Sequence, residues 1–275
     1  MNKFILSLKG FWAVLIILSL VGCNGGSDSP GTRIYYSKSA NNVIYKNGDV
    51  MIYDAVGEYI HADGSKTVIT GGRLSLDVID EGLTNPLNNN IKVMTLVEAQ
   101  YYNAQMIDPA GKVTPATVVS TVYRYYIQDP LTGTINYQGD GLPEGVDDSG
   151  NTIYNRYWFD TPKNYVQYQM PLNINDTRQV TYLKKTVDGA LTHQGVLNTA
   201  VSAKENVSVP IGTFEASKMS FIDVNQDPGM EGSLISDRVQ YIYPDIGIVK
   251  FEFNPTAPGD TGTFNLSLSY TNIPI

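Results

Sequence analysis

From about residue 33 onward, apolar and polar positions alternate with a period of two in segment after segment. Leu74, Leu76 and Val78 share one side, and Arg73, Ser75 and Asp77 the other. Near the end, Phe264, Leu266, Leu268 and Tyr270 alternate with Asn265, Ser267 and Ser269. Successive side chains of a strand point to opposite faces, so this pattern predicts sheets with one buried and one wet face. Turn dipeptides punctuate it. Asn47-Gly48 separates 42–46 from 49–53, Asp63-Gly64 separates 58–61 from 66–70, and Asp188-Gly189 separates 180–187 from 190–196. Each reads as a tight hairpin in which glycine supplies the positive φ. Residues 91–106 contain Met, Leu, Glu, Ala and Gln, which suit a helix. A strand fits better, because Ile91, Val93, Thr95, Val97, Ala99 and Tyr101 then share a side and strand-like segments flank the region. Residues 129–133 and the acidic, glycine-rich 139–151 read as loops. The expected fold is all-β, mostly antiparallel, a curved sheet or incomplete β-barrel with few or no helices. A division near Pro171 separates a Tyr-rich half, 33–170, from a compact series of hairpins, 171–275, as two halves of one β structure or as two domains.

The N-terminus follows another rule. Lys3 and Lys9 precede an apolar run from Phe11 to Val21 broken only by Ser19. That is short for a bilayer span and right for a cleaved signal. The run ends in Leu20-Val21-Gly22-Cys23, which resembles the lipobox of bacterial lipoproteins, and Cys23 is the sole cysteine of the chain. The resemblance implies that residues 1–22 are a signal peptide and that Cys23 is acylated, palmitate included. In that family Asp after the lipidated Cys favours the inner membrane. Asn24 stands here, so the outer membrane is the expected location, on its periplasmic face or at the cell surface. Residues 23–32 read as the anchor and a flexible tether, whose nine residues after the Cys reach about 15–18 Å.

Charge narrows the partners. Residues 1–22 hold Lys3 and Lys9 and no acid, so their removal takes the formal charge from −8 to −10. Such a chain is a poor match for nucleic acid or anionic lipid headgroups. The expected contact with the membrane is through the lipid anchor.

Two phrases in the second half carry a further resemblance. One is Val207-Ser208-Val209-Pro210-Ile211-Gly212-Thr213-Phe214-Glu215-Ala216, the other Tyr241-Ile242-Tyr243-Pro244-Asp245-Ile246-Gly247-Ile248-Val249-Lys250. Together they resemble a group of uncharacterised bacterial envelope proteins, related in fold to the half-barrel of the Lol-type lipoprotein carriers. The resemblance covers roughly 170–275 and implies fold, not activity. In physical terms Pro210 and Gly212 reverse the chain so that Phe214 and Ala216 alternate inward. Pro244 and Gly247 break the ladder before Val249, Phe251 and Phe253 resume on one face.

Candidate chemistry is sparse, and no enzyme is expected. There is no G-x-S-x-G elbow, and the two histidines, His61 and His193, sit beside hairpin turns. Glu144, Asp147 and Asp148 form an acidic cluster in which a glycan hydrolase would find its carboxylate pair. No cofactor is required. Asp223, Asn225 and Asp227 are spaced like the first ligands of a calcium loop, but Pro228 stands where such a loop needs Gly and Leu234 where it needs Glu. The remaining clue is aromatic. The chain has 19 tyrosines, and Tyr123, Tyr125, Tyr157 and Trp158 are the candidates for contact with a hydrophobic ligand or a protein partner. The expected function is a non-catalytic lipoprotein that binds a lipid-like ligand or an envelope protein on a curved sheet. The alternative is an envelope assembly scaffold.

Overall fold

A computed structural model describes residues 34–35, 44–146, 152–159, 166–168, 170–226 and 234–274. The signal peptide, Cys23 and the tether lie outside the described residues, as do Asp147, Asp148 and Asp227. The chain forms β1 (Ile34–Tyr35), β2 (Val50–Ile60), β3 (Lys66–Ile79), β4 (Thr84–Asn85), β5 (Ile91–Lys92), β6 (Met94–Ile107), β7 (Val113–Gln128) and β8 (Ile135–Val146). It continues as β9 (Thr152–Phe159), β10 (Val166–Tyr168), β11 (Thr177–Lys185), β12 (Leu191–Val209), β13 (Gly212–Gln226), β14 (Leu234–Tyr243), β15 (Gly247–Asn254) and β16 (Thr261–Thr271). No helix occurs among the described residues, and the all-β expectation holds.

Among the described residues fourteen strands make one sheet, with β4 and β5 as a separate pair. The main strands follow one another as an antiparallel meander, and the last, β16, pairs the first long one, β2. Because β14 also pairs β13 over 217–225, the sheet curls back upon itself. The wall is uneven. Among the described residues β9 meets β11 through two residue pairs, Phe159 with Lys184 and Trp158 with Lys185. The result is a strongly curved sheet with a thin seam, not an evenly closed barrel. Strands from both sides of Pro171 enter this one sheet and one core.

The inner face is apolar in its greater part. Met51, Tyr53, Leu74, Leu76, Val78, Leu197, Phe214, Phe221 and Leu268 are buried there, each large side chain contributing about 1.5–3 kcal/mol. Arg73, Ser75, Lys250, Glu252 and Asn265 alternate outward, exposed or half-buried. A membrane-spanning barrel has the reverse arrangement, apolar outside. Among the described residues no helix is long and apolar enough to cross a membrane.

Three connections repeat one geometry. In 61–65, 108–112 and 186–190 the first residue's N–H donates to the fifth residue's carbonyl, and the Gly at position four donates back to the first carbonyl. Gly64, Gly111 and Gly189 have φ of 82°, 84° and 87°, so these are five-residue loops with glycine in the left-handed region. The expected hairpins at Asp63-Gly64 and Asp188-Gly189 are present. Asn47-Gly48 forms a turn, but 44–46 is no strand, and β2 pairs β3 and β16 instead. The second phrase of the resemblance breaks the ladder between β14 and β15 as expected, and the first turns at Pro210-Ile211 before Phe214 and Ala216, both fully buried.

Three expectations are corrected. Tyr270 does not continue the buried row of Leu266 and Leu268. The register with β2 shifts between Leu268 and Tyr270, so Tyr270 pairs Ile52 and is exposed. Residues 91–92 and 94–106 are strand, and Val97 and Tyr101 share a side as read, but it is the outer one: Glu98, Gln100 and Tyr102 share the inner face with Leu96. Finally, 139–146 is not loop but the second half of β8. Its glycines mark close approach: a Cβ on Gly139 would lie 2.1 Å from the Tyr157 carbonyl oxygen. Glycine there lets two backbones meet, which composition alone reads as a turn.

Candidate functional site: a polar cavity inside the sheet

The curled sheet encloses a cavity of about 350 Å³, within the roughly 300–1,000 Å³ usual for ligand pockets. Met51, Leu74, Leu76, Ile248, Phe251 and Leu266 give part of its wall an apolar surface. The rest is polar and comes from strands far apart in sequence: Glu98 and Gln100 on β6, Arg124 on β7, Asp140 on β8, Lys184 on β11, Asp223 on β13 and Arg238 on β14.

Most of these charges are paired. Arg124 donates to Glu98 at 3.2 Å and to Asp140 at 2.7 Å, and Lys184 donates to the other Asp140 oxygen. Burial acts to raise the Asp140 carboxyl, but Lys184 and Arg124 outweigh it and hold it well below the usual carboxylate range. Asp140 therefore stays ionised with its side chain only 5% exposed. Asp223 accepts from the Tyr182 hydroxyl at 2.7 Å. Burial pushes the Tyr126 and Tyr137 hydroxyls far above the ordinary phenol value, so both remain neutral donors. The Tyr126 hydroxyl is buried without a hydrogen-bond partner among the described residues.

The aromatic residues singled out from sequence do not gather in this cavity. Tyr125 and Trp158 stack at 5.0 Å on the outer face. With Val93 they form a second, small core against which Leu83, Leu87, Tyr123 and Ile127 pack. The β4–β5 segment covers it, tied down by Asn85 and Asn88 donating to the fully buried Gln138. Their neighbours Tyr126 and Phe159 belong to the main inner core, as alternation requires. Tyr157 falls on the inner side, its ring edge-to-face with His193 and the ring centres 6.0 Å apart. Of the calcium candidates, Asp223 and Asn225 are strand residues that line the cavity, and no cluster of three His, Cys, Asp or Glu occurs among the described residues.

A second polar group lies between loops. His61 Nδ1 is 2.8 Å from Asp260, and Nε2 is 2.9 Å from the Thr67 hydroxyl. The Ala62 N–H donates to the same carboxylate at 2.9 Å. The set clasps the β2–β3 connection to the β15–β16 connection.

No protein-family model matches the chain, and no curated protein does. Two solved structures are similar to it. One is a candidate lipoprotein from Parabacteroides distasonis, 11% identical, covering 82% of this chain and 96% of its own, with a TM-score of 0.35. The other is a candidate exported protein with a YmcC-like fold from Bacteroides fragilis, 15% identical, covering 85% of this chain and all of its own, also at 0.35. Likeness of this degree carries no argument about what the chain does.

Proposed function

We propose that the chain is a non-catalytic lipoprotein of the bacterial envelope, anchored through Cys23 in the outer membrane, that holds a small amphipathic ligand inside its curled sheet. The observation that carries the ligand reading is the cavity, apolar along Leu74, Leu76 and Phe251 and polar along Arg124, Lys184 and Arg238. The Leu20-Val21-Gly22-Cys23 segment and Asn24 support the anchor and its membrane. A cavity of this size suits a single-chain or ring-sized molecule, not a two-chain phospholipid. The rival scaffold reading, in which the chain works by docking other envelope proteins, makes no use of the cavity.

Mass spectrometry of the full-length gene product extracted from bacterial membranes tests both parts. The intact mass is expected to lack residues 1–22 and to carry acyl groups on Cys23. The native mass is expected to exceed it by one small molecule. An unmodified Cys23 overturns the anchor. A native mass without an adduct, together with no uptake of added single-chain amphiphiles, overturns the ligand reading.

A further inference from the structure

Of the three cations that line the cavity among the described residues, two are satisfied. Arg124 has Glu98 and Asp140, and Lys184 has Asp140. Arg238 has neither ion pair nor hydrogen bond among the described residues, and its Nε is buried without a partner. Its surroundings explain why. Across the ladder Arg238 pairs Phe221 on β13 and Phe253 on β15, and its guanidinium carbon lies 5.2 Å from the Phe221 ring centre. The nearest acid by register on the same face is Asp223, two residues along β13 from Phe221, and it accepts from Tyr182. Ser236 and Gln240, on the same side of β14, bring hydroxyl and amide groups but no charge to the cavity.

A cation in a partly desolvated, aromatic setting is costly without a counter-charge. A guanidinium is also the side chain whose planar fork best fits a carboxylate, through two parallel charge-assisted hydrogen bonds. The apolar wall begins beside it, since Phe253, Phe251 and Leu266 line the same cavity. We propose that the ligand is a carboxylate-headed single-chain amphiphile, with its head on Arg238 and its tail along Phe253, Phe251 and Leu266. This rests on the reading of the cavity as a ligand site and adds the charge and polarity of what fills it.

The test compares decanoate with decanol, which share a tail and differ in the head. Calorimetric titration at pH 8 uses the chain from Asn24 onward, which contains every described strand. Decanoate is expected to bind about ten- to a hundredfold more tightly than decanol, the range for hydrogen bonds to a charged group. Arg238→Met should abolish that preference while leaving decanol affinity within about twofold, and Arg238→Lys should keep most of it. The Met variant should melt no lower than the parent, since it removes an uncompensated charge. Equal affinities in the parent chain, or an undiminished preference in Arg238→Met, overturn the assignment of the head while leaving the cavity as a ligand site. Absence of binding by both compounds overturns the ligand site itself.

Discussion

Asp140→Asn is expected to lower unfolding stability by about 3–5 kcal/mol, the usual result of removing one partner from a buried ion network. The substitution keeps shape and removes charge. Among the described residues it leaves Lys184 with no carboxylate and Arg124 with Glu98 alone. Urea unfolding at an unchanged m-value is the measurement, and a midpoint shift equivalent to less than about 1 kcal/mol would contradict it. The pH dependence has a definite sign. The folded Asp140 carboxyl sits well below its unfolded value because Lys184 and Arg124 outweigh the effect of burial. Its contribution is therefore complete above the ordinary carboxylate pKa of about 4 and is lost as pH falls from there toward the folded value. The gap between parent and variant should be widest near neutrality and should narrow in acid. Replacing Asp140 and Lys184 together with Leu and Met should cost less than Asp140→Asn alone, since no buried charge is then left without its partner.

Trp158→Ala is expected to cost a similar amount, about 3–5 kcal/mol, for a different reason. The side chain is 2% exposed and stacked on Tyr125 beneath the β4–β5 segment. Its loss removes the centre of the small outer core, so 84–92 should become the first site of proteolytic cleavage while affinity for a lumenal ligand is unchanged. Weakened ligand binding without weakened folding would return Trp158 to the role its composition suggests. Trp158→Phe should be much milder, because the indole N–H is buried without a hydrogen-bond partner among the described residues and its removal leaves none of them unsatisfied.

These two residues mark where the sequence is readable and where it is not. Leu74, Leu76 and Val78 were legible as an inner row because the wet side of β3 is polar and the buried side apolar. The phrase ending in Phe214 and Ala216 was legible because proline and glycine fix where its chain reverses. The cavity was not. On β6, Glu98 and Gln100 occupy inner positions, so an alternation rule that sends polar residues outward inverts the strand and puts Val97 and Tyr101 inside. Nothing local says that Glu98 will meet Arg124, or that Arg124 will meet an aspartate set in a glycine-rich stretch. Those contacts exist because the meander brings β6, β7, β8 and β11 around one space. The charge balance is the available signal: Glu98, Arg124, Asp140 and Lys184 each interrupt an otherwise strand-like segment with a group that can neutralise another. Tyr123, Tyr125 and Trp158 misled in the complementary way. They are aromatic and clustered, but a fourteen-residue excursion, 80–93, folds back over them and consumes their surface. The Tyr270 reversal depends on a single extra residue in the ladder, Ser269, whose hydroxyl donates to Asp54 and the Ile52 carbonyl.

The thin seam between β9 and β11 has a dynamic consequence. Elsewhere around the ring, neighbouring strands are zipped by at least four residue pairs, and by as many as fifteen between β12 and β13. Here the described residues make two, and Lys184, one of the residues concerned, also grips Asp140. Thermal opening should begin at this place. Amide hydrogens at the seam ought then to exchange with deuterium sooner than those of β12, and a molecule too large to slip through a rigid wall would gain its doorway there, at the moment the lysine lets go.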